Sequence, residues 1–234
     1  MSVDLRVMSY NVRSLRDDPA AIGRVMRAAV PDVVIVQEAP RFARWRSHAA
    51  SIARRAGLVY VTGGRTAAGN LLLCHLRFEV DEAHDVLLSA ARTPEGGRLH
   101  QRGLAVAVLR LGDTRFVVGG THLDLEEQAR LKHVGEIREI LQRFAPGVPS
   151  IVGGDLNDRP GSAVFAALGD GAVDAWHAVG DGDGHTFRAT APDRRIDSLF
   201  LSPGITPTAA RVIDGPDVLI GSDHRPLVVD MTVA

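Results

Sequence analysis

Pro149-Ser150-Ile151-Val152-Gly153-Gly154-Asp155-Leu156-Asn157 is the stretch around which the chain is organised. Its apolar run predicts a buried strand, and a carboxylate and an amide follow two positions apart, where turn residues begin. Side chains alternate along an extended backbone, so Asp155 and Asn157 are expected to point the same way, at the mouth of a sheet. An Asx-type turn after a strand would use the same residues, and the motif alone does not separate a functional site from a turn.

The composition is that of an ordinary soluble globular protein. The 234 residues suffice for a substantial core, in one large domain or two small ones. The apolar fraction of 45% and the charged fraction of 24% are both typical of globular domains. The net charge of -1 gives no global attraction to polyphosphates, so nucleic-acid binding would depend on a local basic patch.

The sequence has no pattern typical of export or of membrane insertion. The single cysteine, Cys74, lies in an apolar run and is expected to be a small core residue, and one cysteine excludes an intramolecular disulfide. The first residues lack the basic start and apolar core of a signal peptide. No apolar run approaches the ~20 residues of a membrane span. These features predict a soluble, cytoplasmic protein without a membrane span, and they identify no protein partner.

Apolar periodicity predicts strands that arrive singly and in hairpins, interrupted by about four helices. Strands are expected at 5–10, 33–36, 59–62, 71–76, 104–111, 115–119, 149–152, 196–201, 208–213 and 227–233, and helices at 19–30, 42–56, 126–144 and 162–168. The segment 80–91 is ambiguous, and the arginines of residues 41–55 are expected on solvated surface. Because no linker-like break divides the chain, we expect one mixed α/β domain over residues 1–234, with sheet inside and helices outside.

Several polar residues that a plain core would not accept stand at or near the ends of predicted strands. They are Asn11, Glu38, His122, Asp155 with Asn157, and Asp223 with His224, and Asp197 lies inside a predicted strand. Individually each has an ordinary explanation, such as a turn or a solvent-exposed strand end, although a lone aspartate inside a strand is costly without a partner. Together they supply oxygen ligands for a hard divalent cation, amides for a phosphate or a water, and imidazoles near carboxylates.

Such a set of side chains suits the hydrolysis of a phosphate ester. A magnesium ion prefers carboxylate and water oxygens and neutralises phosphoryl charge, while a positioned base orients the attacking water. A histidine held by a buried aspartate can stabilise or protonate charge in the transition state. The sequence contains no HExxH or multi-thiolate zinc motif and no Walker-type glycine loop, which disfavours a zinc enzyme and a nucleotide-driven machine.

Six short segments carry a family resemblance. They are Ser9-Tyr10-Asn11, Gln37-Glu38, Thr121-His122-Leu123, Gly153-Gly154-Asp155-Leu156-Asn157, Arg195-Ile196-Asp197 and Gly221-Ser222-Asp223-His224-Arg225-Pro226. In this order they resemble the motifs of the endonuclease/exonuclease/phosphatase superfamily, which contains the deoxyribonuclease-I-like and exonuclease-III-like enzymes. The resemblance implies a four-layer α/β/β/α sandwich of two mostly antiparallel sheets flanked by helices, with an active site along one rim.

The resemblance also implies a metal site. Glu38 corresponds to the principal metal ligand of the superfamily, and Asn11 and Asp223 correspond to the residues that assist it. The implied cofactor is Mg²⁺, with Mn²⁺ as a substitute. The motifs leave the number of metal ions open.

The remaining motif residues correspond to the catalytic groups of the superfamily. Asp155 matches the residue that orients or deprotonates the attacking water, and Asn157 matches a phosphate contact. His224, held by Asp197, would bind or protonate a phosphoryl oxygen, and His122 would support the phosphate from the other side. Which of these groups is the general base stays open.

The substrate is less well defined by the motifs. Abasic-site endonucleases of the superfamily have long basic loops and a tyrosine near the site, whereas the loops here are short and neither Tyr10 nor Tyr60 matches that place. These departures disfavour repair of duplex DNA and leave a small or single-stranded substrate. Arg102 and Arg130 are candidate contacts to substrate phosphates, and ordinary surface charge is the alternative for both.

We therefore expect a divalent-metal-dependent phosphodiesterase of the nuclease type, with DNA and RNA among the candidate substrates. The alternative on the same scaffold is a phosphomonoesterase or a lipid or sugar phosphodiesterase, because specificity resides in loop shape. A catalytically inactive phosphate-binding module would lack at least one of Glu38, Asp155, Asn157 and His224, and all four are present.

Overall fold

Two β-sheets lie face to face in the computed structural model of the chain. The structure describes residues 2–91, 96–97 and 99–234, which form two six-stranded sheets and six α-helices. The strands are β1 (Val3–Asn11), β2 (Val33–Gln37), β3 (Val59–Gly63), β4 (Leu71–Cys74), β5 (Glu79–Leu87), β6 (Gly103–Leu111), β7 (Thr114–His122), β8 (Ser150–Asp155), β9 (Val173–Asp174), β10 (Asp197–Leu201), β11 (Ile205–Val212) and β12 (Leu227–Val233). The helices are α1 (Pro19–Ala29), α2 (Trp45–Ala56), α3 (Glu127–Phe144), α4 (Ala163–Gly169), α5 (Ala175–Val179) and α6 (Pro216–Gly221).

The two sheets share one pattern of connections. Their strand orders are β11-β12-β1-β2-β4-β3 and β5-β6-β7-β8-β10-β9. In each sheet one central pair is parallel, β1 with β2 and β7 with β8, and the other pairs are antiparallel. Helix α1 connects the first parallel pair and α3 connects the second. Since the carboxyl ends of parallel strands meet at one edge of a sheet, each pair brings two strand ends together.

Strand β2 shows how the layers are built. Its residues Val33, Val34, Ile35 and Val36 are all buried, as a run of β-branched residues covered on both faces requires. Val33 and Ile35 pack in the core between the two sheets. Val34 and Val36 pack with the apolar faces of α1 and α2 on the outside of the first sheet. A third core lies between the second sheet and helices α3 and α4.

Two glycines allow the close approaches beneath the strand ends. Gly154 has a φ of +137°, and a Cβ there would lie 2.0 Å from the carbonyl oxygen of Thr121 on the neighbouring strand. A Cβ at Gly120 would lie 2.6 Å from Cγ2 of Ile35, which belongs to the opposite sheet. Real Cβ contacts are longer than either distance. Both glycines are therefore required by packing between strands or sheets, and not only by local turns.

The predicted four-layer α/β/β/α sandwich is confirmed, with three departures in detail. The described chain has two helices beyond the predicted four, because α5 and α6 have only five and six residues, too few for helical periodicity to be recognised. The ambiguous segment 80–91 overlaps β5, an edge strand that begins one residue earlier and whose largely exposed residues carry no apolar alternation. Helix α2 begins at Trp45, so Arg41 lies in the loop after β2. Among the described residues, no helix has the length and apolarity needed to cross a membrane.

Candidate active site

The register of the second sheet places Asp155 at the centre of the site. At the end of β8, Asp155 stands opposite His122 of β7 on one side and opposite Asp197 of β10 on the other. In the first sheet, Asn11 at the end of β1 stands opposite Gln37, the residue before Glu38. Strand pairing alone therefore aligns residues that are far apart along the chain.

Asn11 connects the two sheets through its amide group. Its Nδ2 donates to Glu38 Oε1 at 3.1 Å and to Asp155 Oδ2 at 3.0 Å, and its Oδ1 accepts from the backbone nitrogen of Arg13 at 3.0 Å. Glu38 itself has a φ of +53°, a left-handed conformation that is costly for a residue with a side chain. This strained turn after β2 brings the Glu38 carboxylate beside that of Asp155.

His224 lies between two carboxylates. Its Nδ1 is 2.9 Å from Asp197 Oδ2, and its Nε2 is 3.6 Å from Asp155 Oδ2. Burial alone would lower the pKa of His224, but the charges of Asp197 and Asp155 outweigh it and raise that pKa to about 9. In this arrangement the imidazole carries a proton at neutral pH. The second carboxylate oxygen of Asp197, Oδ1, is buried and has no hydrogen-bond partner within the described part of the chain.

His122 lies on the other side of Asp155 and differs from His224 in its protonation state. Its Nε2 is 3.0 Å from Asn157 Nδ2 and 3.4 Å from Asp155 Oδ2. Burial, together with the positive charges of Arg102, His224 and Arg41, lowers the pKa of His122 to about 3. The imidazole is therefore neutral, and Nε2 accepts the hydrogen bond from the Asn157 amide. A neutral and a protonated histidine flanking one carboxylate suit separate roles in acid–base chemistry.

Asp223 reaches the same site from the loop before β12. Its Oδ2 lies 3.4 Å from Arg13 Nε, and its side chain lines the cleft described below. The preceding residue, Ser222, donates from Oγ to the carbonyl oxygen of Asn11 at 2.7 Å and accepts from the His224 backbone nitrogen at 3.3 Å. Ser222 thus ties the Asp223–His224 loop to the end of β1.

Most of the predicted site residues open onto one cleft of about 680 Å³, whereas Asn11 and Asp197 are buried beside it and do not line it. Its lining includes Glu38, His122, Asp155, Asn157, Asp223 and His224. It also includes residues that the sequence analysis did not assign to a site, namely Arg16, Arg41, His100, Arg159, Phe187 and Arg194. For Arg41 a signal existed, since it follows the Glu38 motif by three residues. Phe187, whose ring centroid is 4.8 Å from that of His224, belongs to no recognisable motif.

The two arginines predicted to contact substrate have different positions. Arg102 lines the cleft and donates from Nε to Asp124 Oδ2 at 3.3 Å. Arg130 is buried. Its Nε donates to Asp158 Oδ2 at 3.0 Å, and its Nη1 donates to the carbonyl oxygen of Leu125 at 2.6 Å. Arg130 is not among the residues that line the cleft, so its contact with substrate stays a prediction that the cleft lining does not support. Its side chain is only 10% exposed, so it is not ordinary surface charge either.

The donor set at the site fits a hard divalent cation. Glu38 and Asp155 present carboxylate oxygens side by side, and both accept from the Asn11 Nδ2, while the Asn11 Oδ1 accepts from the backbone nitrogen of Arg13. Oxygen ligands of this kind suit Mg²⁺. A second group could also hold a metal ion, because ligand atoms of Asp155, Asp197 and His224 all lie within 4.8 Å of one another.

Comparison with known proteins gives a consistent result. Residues 8–224 match the Endonuclease/Exonuclease/phosphatase family. The mannosyl-6-phosphatase of Bacteroides thetaiotaomicron has a TM-score of 0.80 at 19% identity, with 97% of this chain and 99% of that chain covered. The human nocturnin catalytic domain with bound sulfate has a TM-score of 0.78 at 18% identity, with 100% and 97% covered. D. rerio TDP2 complexed with single-strand DNA product has a TM-score of 0.74 at 20% identity, with 97% and 98% covered. At these identities the likeness to solved structures shows the fold, and no curated protein matches the sequence.

Proposed function

This chain belongs to the endonuclease/exonuclease/phosphatase family of phosphate-ester hydrolases, and from that premise we propose that it is a divalent-metal-dependent phosphodiesterase of the nuclease type. One observation carries the proposal. A single carboxylate oxygen, Asp155 Oδ2, lies 3.0 Å from Asn11 Nδ2, 3.4 Å from His122 Nε2 and 3.6 Å from His224 Nε2. Structural ion pairs alone do not require an amide, a neutral imidazole and a protonated imidazole around one oxygen.

The metal site is assigned to Glu38 and Asn11, with Asp155 and Asp223 beside them. A bound Mg²⁺, or Mn²⁺ in its place, would neutralise phosphoryl charge and lower the pKa of water. The carboxylates of Glu38 and Asp155 offer hard oxygen donors, and Asn11 would offer its Oδ1 after its amide rotates away from its present contact with the Arg13 backbone nitrogen. Glu38 and Asp155 both accept from the Asn11 amide, which positions the two carboxylates side by side.

The other side chains are assigned by their charge states and partners. Protonated His224 donates a hydrogen bond to a phosphoryl oxygen from Nε2, while Asp197 fixes the ring through Nδ1. Asp155 orients the attacking water and accepts its proton. Asn157 and neutral His122, which contact each other at 3.0 Å, support the phosphate from the opposite side. These roles follow the positions of the groups around Asp155.

The nuclease type is supported by the basic lining of the cleft. Arginines reach it from loops of both sheets, with Arg16 and Arg41 following strands β1 and β2 and with Arg159 following β8. Such a distribution suits a substrate that carries more than one phosphate. TDP2, which has been solved with a single-strand DNA product, is similar in fold and agrees with this assignment. The mannosyl-6-phosphatase has the higher TM-score of the two, 0.80 against 0.74, so a phosphomonoesterase is the alternative outcome of the test below.

A substrate panel tests the proposal. Purified protein is assayed with Mg²⁺, with Mn²⁺ and with chelator on single- and double-stranded DNA, on RNA, on small diesters and on sugar and lipid phosphates. We expect metal-dependent cleavage of diesters, and we expect Glu38→Gln, Asp155→Asn and His224→Asn each to lower kcat by about 100-fold or more. Glu139→Gln is the matched control, because that carboxylate is exposed on α3 and does not line the cleft.

Three results would count against the proposal. Unchanged turnover in the three site variants would show that the site is misassigned. Faster release of inorganic phosphate from monoesters than cleavage of diesters would identify a phosphatase. Binding without hydrolysis across the whole panel would identify an inactive phosphate-binding protein.

The cytoplasmic location and the single domain over residues 1–234 stay predictions.

A further inference from the structure

Arg102 is a nearly buried cation whose charge is only partly neutralised by the protein. Its side chain is 11% exposed, and Nε donates to Asp124 Oδ2 at 3.3 Å. Within the residues that the structure describes, the two terminal nitrogens of its guanidinium have no hydrogen-bond acceptor. Burial lowers the pKa of Arg102, while the charges of Asp124, Asp155 and Glu38 act in the opposite direction. Because the side chain lines the cleft, those terminal nitrogens are available to a ligand.

Arg41 lines the same cleft from the loop after β2. Its Nη1 donates to the carbonyl oxygen of Ala68 at 3.4 Å, and no described carboxylate lies within ion-pair distance of it. The stem of the side chain rests on Gly69, where an added Cβ would lie 3.2 Å from Arg41 Cδ. The guanidinium is therefore held at the cleft by packing and one carbonyl contact, without a neutralising partner.

Both arginines lie at the His122 end of the cleft. Arg102 precedes Gly103 and Leu104, and Leu104 stands opposite Thr121, the residue before His122. Arg41 contacts the carbonyl oxygen of Ala68, and the neighbouring Ala67 packs against Gly103, so both side chains start from the same end of the cleft. Arg159 lies elsewhere along the lining, near the turn that carries Asp193. The phosphate that is hydrolysed already has partners in His224, Asn157 and the metal ligands. The two guanidiniums are thus in excess of what that one phosphate requires.

We propose that Arg41 and Arg102 form a subsite for a second phosphate group of the substrate, next to the phosphate that is hydrolysed. A guanidinium presents planar paired donors that match phosphate oxygens, and two of them can neutralise a phosphate that enters a partly desolvated cleft. The inference rests on the proposed function and specifies its substrate. The chemical class is a phosphate ester with a neighbouring phosphate, as in a single nucleic-acid strand.

Kinetics on a matched substrate series test the subsite. The series is thymidylyl-thymidine, which has one phosphodiester, and the same dinucleotide with an added 5′ or 3′ terminal phosphate. We expect one added phosphate to raise kcat/KM, and we expect Arg41→Ala to reduce that preference by about 10- to 100-fold, the range for losing a hydrogen-bonded charged partner. Arg102→Lys, which keeps a cation beside Asp124, should reduce it as well. Arg65→Ala removes an exposed charge three residues before Ala68 and should leave the preference unchanged.

A binding measurement separates failure of the subsite from failure of the proposed function. Fluorescence anisotropy of a labelled thymidine oligonucleotide is recorded with metal-free protein in chelator, so that no turnover is needed. Arg41→Ala should weaken binding about 10-fold or more and reduce the slope of log affinity against log salt by about 1, whereas Arg65→Ala should not. Equal losses in Arg41→Ala and Arg65→Ala would overturn the subsite even if the protein is an active diesterase.

The kinetic series offers a second result that would overturn the subsite. If Arg41→Ala lowers kcat/KM equally for dinucleotides with and without the added phosphate, then Arg41 contacts the phosphate that is hydrolysed. A parallel comparison of a hexose bisphosphate with a hexose monophosphate identifies the source of the second phosphate. An Arg41-dependent preference for the bisphosphate, with none among the dinucleotides, would retain the subsite and overturn the nucleic-acid strand as its ligand.

Discussion

Replacing Arg130 with methionine is expected to destabilise the folded chain by about 3 kcal/mol while leaving substrate recognition intact. Arg130 forms an ion pair with Asp158 at 3.0 Å and donates to the carbonyl oxygens of Leu125 at 2.6 Å and Asp124 at 3.2 Å. The two charged side chains are 10% and 14% exposed. Removing one partner of a buried pair costs about 3–5 kcal/mol, and the residual exposure favours the lower end.

Urea unfolding measures this loss directly. For a chain of this size the dependence of the unfolding free energy on urea is about 3 kcal/mol per molar, so the midpoint should fall by about 1 M. Asp158→Asn in the same background should recover part of the loss, with a coupling energy of about 1–3 kcal/mol in the double-mutant cycle. Arg138→Met is the matched control on the same helix. Its partner Asp170 is 72% exposed, and exposed pairs contribute less than about 1 kcal/mol.

The outcome distinguishes the two interpretations of Arg130. If Arg130→Met unfolds at the wild-type urea concentration but raises KM, then Arg130 contacts the substrate, as the sequence analysis predicted. If it lowers the midpoint and leaves KM unchanged, the buried network is its role. The contacts of Arg130 join the loop after His122 to the loop after Asn157. A fall in kcat of Arg130→Met with KM unchanged would therefore agree with a loss of positioning of these two site residues.

Two further outcomes can be checked on the same preparations. Gly154→Ala should lower the unfolding free energy by more than about 3 kcal/mol or prevent soluble expression, because the added Cβ would lie 2.0 Å from the carbonyl oxygen of Thr121. Gly161→Ala is the control, with a φ of +89° and nothing within 4 Å of the added Cβ, and it should cost about 1 kcal/mol. Comparable losses in the two variants would contradict the packing argument. Burial lowers the pKa of His224 but carboxylates raise it to about 9, so its protonation contributes about 3 kcal/mol below pH ~6.5, and this is lost as pH rises through about 9. In metal-free protein Asp197→Asn should therefore lower the pKa of His224, measured by NMR, by more than about one unit. The difference in unfolding free energy between this variant and the wild type should shrink between pH 7 and 10. A pKa of His224 unchanged by the substitution would show that Asp197 does not stabilise the protonated imidazole.

Much of the fold follows from short-range patterns in the sequence. The β-branched run 33–36 is a strand covered on both faces. The apolar spacing of residues 126–144 predicts a helix whose bounds agree with those of α3, Glu127–Phe144, to within one residue. The strand-end residues were also recognisable, but only as a set, because each alone fits a turn or a solvent-exposed strand end while together they supply ligands for a cation and a phosphate. Segments without such periodicity were missed, including α6, which leads into the Asp223–His224 loop.

Residue types at strand ends, and their order along the chain, are what the sequence by itself determined about this protein. Only the tertiary structure decided that Asn11 and Asp155, 144 positions apart, share a hydrogen bond. It also decided that His122 is neutral while His224 is charged, and that Arg41 faces the cleft while Arg130 is buried. The physical reason is that charge state and accessibility depend on burial and on distances through space. These are properties of the packed layers, and no local pattern of residues encodes them.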